Sequence, residues 1–278
     1  MERCVLITGC SSGIGRATAS AFLDEEWDVM ATARNREALG ALKDDGCRIA
    51  SLDVTDEESI HRVVDQTLDE IGRIDCLVNN AGYSQVGAFE DMSTSRVERQ
   101  FAVNVFGPHR LTRAVLPHMR RREDGTIVNI SSILGRLALP GTSAYAGSKF
   151  ALEAFSDALR AEVSPLGIDV VVIEPGPVPT QLKDRAGREL AALARTDDYE
   201  GLYRLIDDWR VLDGGPGSAT VDDVADVVVN AASSTQPEPR YVVGGLGVLG
   251  SLARYVPAQY RDSLYRLALR ATSIRSRS

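Results

Sequence analysis

Histidine, cysteine and tryptophan are scarce in this chain, at three, four and two of 278 residues. The cysteines are Cys4, Cys10, Cys47 and Cys76, and no two stand at C-x-x-C spacing, so the common zinc and dithiol motifs are excluded. Cys4 and Cys76 fall in apolar runs, where a free thiol packs as a small hydrophobe. His109 and His118 have no metal-ligating companions and read as surface or packing residues. No apolar stretch approaches the roughly 18 residues of a membrane-spanning helix. Val5-Leu6-Ile7 is too short for the core of a secretory signal, and a cytoplasmic protein is the expectation. Positive charge is also in deficit. With 31 basic against 39 acidic side chains the net charge is −8, which argues against general affinity for nucleic acid. The deficit is uneven: residues 240–278 hold seven arginines against one acid, Asp262, so this segment is +6 and the remainder −14.

What is abundant is ordinary globular material, 44% hydrophobic and 25% charged. Strands are predicted over 5–8, 28–33, 48–54, 74–78, 126–132, 168–174 and 240–244, from short apolar runs that end in turn residues. Helices are predicted between them: over 16–23, from the capping-box pattern Thr55-Asp56-Glu57-Glu58 to about Ile71, over 94–120, over 142–164, and from Thr220-Val221-Asp222-Asp223 onward. Pro108 is expected to kink the third of these, which carries Asn104 at its middle. Strands alternating with helices imply right-handed crossovers and one parallel sheet with helices on both faces. No repeat or linker divides the chain, so a single domain is expected. Two segments break the pattern. Residues 180–218 are polar, include the turn run Gly214-Gly215-Pro216-Gly217 and follow a strand's C-terminal end; they read as a lid over the crevice, or as a peripheral helical excursion. Residues 244–278 form a basic amphipathic tail, helical through about Arg270. The tail is read as packing on its own domain or on a partner subunit, with peripheral membrane contact through 250–278 as the alternative. The glycosylation sequon Asn129-Ile130-Ser131 lies in a predicted strand end and is read as accidental.

Two clusters bring chemistry. The turn Gly9-Cys10-Ser11-Ser12-Gly13-Ile14-Gly15 joins a buried strand to a helix start, an arrangement that brings backbone N–H groups close to a phosphate at the positive end of the helix. The next strand ends at Ala33-Arg34, with Arg36 nearby. An acid at that tip would bond a ribose 2′-hydroxyl, whereas an arginine accommodates a 2′-phosphate, so NADP is favoured over NAD unless Arg34 is solvated loop charge. Asp53 either meets the adenine edge or begins a turn, and Asn79-Asn80-Ala81-Gly82 suits a strand end facing a ligand or ordinary turn chemistry. The second cluster is Tyr145 and Lys149, four apart and on one face of the predicted helix. A phenol has a reference pKa near ~10; an adjacent ammonium lowers it, and such a pair can serve as a general acid/base. Taken alone, the pair is better read as two neighbouring surface residues. Ser132 is delivered at the end of the fifth predicted strand.

Together these residues resemble the short-chain dehydrogenase/reductase family, in its compact single-domain branch, from Val5 to about Val243. Thr8-Gly9-Cys10-Ser11-Ser12-Gly13-Ile14-Gly15 matches T-G-x-x-x-G-x-G, Asn79-Asn80-Ala81-Gly82 matches N-N-A-G, and Tyr145-Ala146-Gly147-Ser148-Lys149 matches Y-x-x-x-K. Ser132 stands thirteen residues before Tyr145 as the family's active-site serine does, Asn104 takes the place of its asparagine, and Pro175-Gly176 with Thr180 matches P-G-x-x-x-T. Residues 5–15, 148–153 and 174–177 look similar to the 17β-hydroxysteroid and retinol dehydrogenase-like branch.

The resemblance implies a Rossmann-type, doubly wound, seven-stranded parallel sheet with helices on both faces. It implies an NADP(H)-dependent oxidoreductase, with NAD(H) as second choice, that interconverts an alcohol and its carbonyl on a lipophilic substrate. In that reading Tyr145 is the acid/base, Lys149 lowers its pKa and holds the nicotinamide ribose, Ser132 bonds the substrate oxygen, and Asn104 holds a relay water. Cofactor contacts are implied at Gly9, Ser11, Ser12, Gly13, Ile14 and Gly15, at Arg34, Asp53 and Val54, at Asn80, Ala81 and Gly82, and at Pro175, Gly176, Val178 and Thr180, beside Tyr145 and Lys149, with no metal. The expected substrate pocket draws on Tyr83, Ser84, Ile133, Leu134, Leu139 and Pro177. A homodimer or homotetramer through the helices at 94–120 and 142–164 is implied as well. Two other readings stand beside this one. A catalytically silent, NADP-binding redox sensor is opposed by the intact Ser132, Tyr145 and Lys149. A sugar-nucleotide epimerase or dehydratase would need a larger substrate domain than 180–218.

Overall fold

A computed structural model describes residues 3–207, 218–245 and 255–274, the side chains of 181–185 and 270–274 excepted. The predicted turn at 214–217, and residues 246–254 and 275–278 of the tail, lie outside the described residues. Seven parallel strands form one sheet: β1 (Cys4–Thr8), β2 (Asp28–Ala33), β3 (Arg48–Ser51), β4 (Cys76–Asn79), β5 (Gly125–Ile130), β6 (Ile168–Pro175) and β7 (Arg240–Val243). Their order is β3-β2-β1-β4-β5-β6-β7, so the winding reverses between β1 and β4. A crevice opens at such a reversal, beyond the strands' C-terminal ends.

The strand period of two sorts the core. Val5, Ile7, Cys76, Val78, Val128, Ile130, Val171 and Ile173 face one cluster, with Phe22 of α1 (Gly13–Asp24) and Val224 and Val228 of α9 (Val221–Ser233). Leu6, Leu77, Ile127 and Val170 face the other, with Ile60 and Val63 of α3 (Glu57–Ile71) and Leu111 and Val115 of α5 (Gly107–Arg122). Both faces of the sheet are therefore covered, as continuous apolar strands require. The remaining described helices are α2 (Gly40–Asp44), α4 (Thr94–Phe101), α6 (Ser143–Val163), α7 (Gln181–Ala191), α8 (Glu200–Asp207) and α10 (Ala258–Ile274).

The structure departs from the sequence expectations at local hydrogen bonds. The third strand ends at Ser51 rather than 54, because Asp53 Oδ1 accepts from the Thr55 N–H at 2.9 Å and its hydroxyl at 2.7 Å and turns the chain. Asp56, not Thr55, is then the cap of α3, accepting from the Glu58 N–H at 3.0 Å. The single helix expected over 94–120 is interrupted by a π-helical turn, Ala102–Phe106, with Asn104 inside it. Pro108 does not kink a helix from within: it sits in the first turn of α5, where a missing N–H is tolerated. The short α2 and the 3₁₀ turn Arg36–Leu39 before it carry too few residues to show a period. Asn129 of the sequon is buried, donating to Ser156 Oγ at 2.9 Å and accepting from Asn79 at 2.8 Å.

Charge closes the two ends of the sheet. Arg240, the first residue of β7, reaches Glu153 Oε2 at 3.1 Å, Glu174 Oε1 at 3.2 Å and the Asp157 carboxylate. At the N-terminal end, Asp75 accepts from the Cys4 N–H at 2.8 Å, from Arg73 Nε at 2.6 Å and from Arg122 Nη2 at 2.5 Å. Burial alone would raise the Asp75 carboxyl, but these donors outweigh it and hold the pKa below the ordinary 3.8. A depressed carboxylate stabilises the fold above its unfolded pKa and loses that contribution as pH falls through the lower native value. Asp75→Asn is expected to cost about 2 kcal/mol at neutral pH and to flatten the loss of stability below pH 3.8. Urea unfolding followed down the pH scale checks this; an unchanged acid limb would remove Asp75 from the account.

Candidate active site

The floor of the crevice is built by β1 and β4 gripping each other beyond their last paired residues. The Thr8 hydroxyl accepts from the N–H groups of Asn80 at 3.0 Å and Ala81 at 2.9 Å. The Asn80 amide donates to the carbonyls of Thr8 at 2.8 Å and Gly9 at 3.3 Å. This contact is why residue 9 is glycine: its φ is +76°, and a Cβ would lie 2.9 Å from Ala81 Cα. At Gly15 a Cβ would run into the Asn80 side chain and the Gly9 carbonyl. The turn so fixed presents the start of α1 to the crevice. Ser12, its N-cap, forms no side-chain cap bond, and the first turn holds no acid. Those N–H groups are left for an anion.

The crevice is a cleft of about 1700 Å³, larger than a drug-sized pocket and long enough for a dinucleotide with a second molecule. Ser11, Ser12, Gly13 and Ile14 line it at one end together with Arg34, Asp53 and Val54. Asn80, Ala81 and Gly82 line its middle, and Pro175, Gly176, Val178 and Thr180 its opposite wall. Gly9 is also at the surface of the cleft, whereas Gly15 and Asn104 stand behind it. Arg36 is turned away, its Nε donating to the Ile49 carbonyl at 3.4 Å, so Arg34 is the arginine of this pair at the cleft. The far end is closed by Ala186, Leu190 and Ala192 of the segment after β6 and by Ile206 of α8. Of the expected substrate-pocket residues, Tyr83, Ser84, Leu134 and Pro177 line the cleft. Ile133 and Leu139 do not; they pack with Ala146 beneath it.

Ser132, Tyr145 and Lys149 meet at the C-terminal edge of β5. Ser132 lies two residues beyond the strand, capping a 3₁₀ turn by accepting the Leu134 N–H at 3.1 Å, and its hydroxyl is the polar neighbour of the Tyr145 phenol. Lys149 is 5% exposed and donates from Nζ to the Ile130 carbonyl at 2.8 Å, with Nζ 5.8 Å from the centre of the Tyr145 ring. Burial pushes its amine down to about 8, against an upward pull from Glu153 one turn along α6. Burial likewise raises the Tyr145 phenol, with the Ser132 hydroxyl drawing it back. The Lys149 ammonium is held by the strand carbonyl rather than by the phenol oxygen.

Asn104 holds the site from behind. Its Oδ1 accepts the Tyr83 N–H at 2.9 Å; its Nδ2 donates to the Tyr83 carbonyl at 2.9 Å and to Ser148 Oγ at 3.0 Å. Ser148 in turn donates to the Tyr145 carbonyl at 2.7 Å. The Asn104 side chain is therefore a clamp between the 80–83 segment and α6. Ser148 and Arg99, which stacks over the Tyr83 ring at 4.8 Å and lines the cleft, escaped the sequence reading. Ser148 lay inside a motif read only at its ends, and Arg99 of α4 belongs to no motif. Among the described residues no group of histidine, cysteine or acidic side chains is placed to hold a metal ion.

The buried amine carries a stability cost. An unfolded lysine titrates at 10.5 and the native one at about 8, so the native state is penalised at neutral pH and relieved as pH rises between those values. Lys149→Met is expected to stabilise the fold by about 2 kcal/mol at neutral pH, with the gain shrinking from pH 8 upward. Denaturant unfolding at several pH values tests it; a variant less stable than wild type at neutral pH would contradict the burial argument.

Comparison with known proteins agrees with this geometry. The family model for short chain dehydrogenases matches residues 3–191. Human retinol dehydrogenase 8 is 38% identical over 257 residues, 86% of this chain and 80% of that protein. A short-chain dehydrogenase from Streptomyces avermitilis superposes with a TM-score of 0.78 at 36% identity, covering 100% of this chain and 98% of the other. The closed form of a serine dehydrogenase complexed with NADP+ gives 0.77 at 28% identity, covering 87% and 95%. With a Rossmann-type sheet, a capless helix start over a glycine turn, and Ser132, Tyr145 and Lys149 gathered at one strand end, this chain belongs to the short-chain dehydrogenase/reductase family of oxidoreductases.

Proposed function

We propose that the protein is an NADP(H)-dependent oxidoreductase that interconverts an alcohol and its carbonyl on a lipophilic substrate. The observation that carries this reading is the position of Ser132, Tyr145 and Lys149 in the wall of the same cleft that begins at the open start of α1. The start of α1 would hold the pyrophosphate, Arg34 a 2′-phosphate, Asp53 and Val54 the adenine, Lys149 the nicotinamide ribose, and Gly176, Val178 and Thr180 the carboxamide side. The glycine conformations and the missing helix cap fit such a group. The bound nicotinamide supplies or accepts the hydride.

The chain's own residues handle the proton and the oxygen. Tyr145 gives a proton to the substrate oxygen or takes one from it. Ser132 hydrogen-bonds the same oxygen and stabilises charge that develops there. Lys149, titrating at about 8, exchanges protons near neutrality and returns them to Tyr145. Asn104 completes the path to solvent through water. The far end of the cleft combines apolar Val86, Leu134, Pro177, Leu190 and Ile206 with charged Arg99, Arg188, Glu189 and Asp207, and the described part of the 180–218 segment acts there as the substrate lid. The likeness to a retinol dehydrogenase points the same way. On the turn before α5 and on α6, Phe106, Phe150 and Phe155 are 47%, 43% and 47% exposed, which supports a homodimer or homotetramer formed through these faces.

Two outcomes follow. Tyr145→Phe is expected to lower kcat by about a thousandfold or more while the Kd for NADPH changes less than about threefold; stopped assays with a panel of ketones and alcohols, together with fluorescence titration of NADPH, measure both, and retained turnover would overturn the assignment. Arg34→Asp is expected to shift the ratio of kcat/KM for NADPH over NADH by about a hundredfold toward NADH. An unmoved ratio would show that Arg34 does not read the 2′ position.

A further inference from the structure

The tail helix α10 turns one face to the protein and another outward. Arg261, Tyr265, Ala268 and Leu269 are partly buried, at the spacing of a single helix face. The Tyr265 hydroxyl donates to the Ala138 carbonyl at 3.1 Å and fastens the helix to the segment before α6. Tyr260, Leu264 and Leu267, at i, i+4 and i+7, form a second face and are 59%, 63% and 66% exposed. A lone exposed leucine needs no explanation; an apolar stripe on a helix already docked through its other side does. Arg266 is exposed beside the stripe, and residues 250–278 hold six arginines against Asp262.

Apolar residues on one side and arginine on the flank suit a helix that lies in an interface. Among the described residues no helix is long and apolar enough to cross a membrane. Charge selects the occupant. A second copy pairing through α10 about a two-fold axis would set two segments of charge +5, residues 250–278, against each other. An anionic bilayer satisfies both parts of the surface: its acyl boundary takes Tyr260, Leu264 and Leu267, and its headgroups take the arginine charge. The −14 on the chain before residue 240 is repelled from the same headgroups, which orients the molecule with α10 toward the lipid.

We propose that the exposed face of α10 docks the protein peripherally on anionic membrane surfaces. α10 packs against α8, whose Ile206 lines the far end of the cleft, so docking sets that end beside the bilayer. The use of this proximity for substrate entry rests on the lipophilic substrate proposed above; docking itself does not, and its test needs neither substrate nor cofactor. Full-length protein is sedimented with vesicles of phosphatidylcholine, with and without phosphatidylglycerol. Wild type is expected to pellet with the anionic vesicles, to remain largely in the supernatant with the neutral ones, and to be released by salt. Leu264→Asp with Leu267→Asp is expected to weaken the anionic partition by about tenfold or more at an unchanged melting temperature. Arg266→Glu leaves the apolar stripe intact and is expected to weaken it about fivefold, so the proposal stays testable if the aspartates unfold the helix. Wild type that stays in solution with anionic vesicles, or both variants pelleting as wild type does, would overturn it. A change in gel-filtration mass on the leucine substitutions without any vesicle binding would overturn it too, and would assign the face to a second copy of the chain.

Discussion

The grip between the ends of β1 and β4 is the contact on which the site depends. The Thr8 hydroxyl takes two N–H groups from the facing segment, and the Asn80 amide answers with two bonds to the glycine turn. Each is worth only about 1 kcal/mol net, but together they fix where the turn stands and hence where α1 starts. The same segment runs on to Tyr83, which Asn104 holds by both backbone groups, and Asn104 hands over to Ser148 on α6. Hydrogen bonds and the 80–83 backbone thus join the glycine turn to the helix bearing Tyr145 and Lys149. The interrupted helix between α4 and α5 belongs to this device. The π-helical turn inserts Asn104 at a level where its amide reaches both the 80–83 segment and α6.

The energetics of the site run against stability. Lys149 is buried with its ammonium on a strand carbonyl, and desolvation drives its pKa down while Glu153 opposes it. Glu153 is itself held by Arg240 at 3.1 Å. The chain therefore places an acid and a base on successive turns of α6, and the basic group nearest the cleft is the one left closest to its titration point. Such tuning is how side chains of ordinary reference pKa become proton carriers near neutrality. The phenol is raised by its own burial, and Lys149 is drawn to Ile130 rather than to the Tyr145 oxygen.

The sheet and most of the cleft wall were legible because they rest on short-range patterns. Apolar runs such as Val170-Val171-Val172 can only be strands buried on both faces, and the turn from Gly9 to Gly15 names its own conformation. The predicted catalytic and cofactor-contact residues all line the cleft except Gly15 and Asn104, which stand behind it. The misses have a common origin. The cap of α3 moved from Thr55 to Asp56, the third strand shortened, and the helix through Asn104 broke, each because a side chain found a backbone partner that no periodicity encodes. The partners that Asn104 finds, Tyr83 and Ser148, stand 21 and 44 residues away in sequence, beyond the reach of any local pattern.

Arg240 at the start of β7 bears on a different problem, the fidelity of strand pairing. β7 is a sheet edge of four residues, and three of them are only partly buried, so its hydrophobic pattern specifies alignment weakly. The three carboxylates of Glu153, Asp157 and Glu174 supply the missing instruction. A shift of one residue along β6 would carry the guanidinium off its acids and bring the Tyr241 ring or the Pro239 ring against them, and would reverse which side chains face the core. The alignment of the last strand is thus set by electrostatics rather than by greasy contact, and a short, charge-locked margin is also a poor template for a foreign strand seeking to extend the sheet.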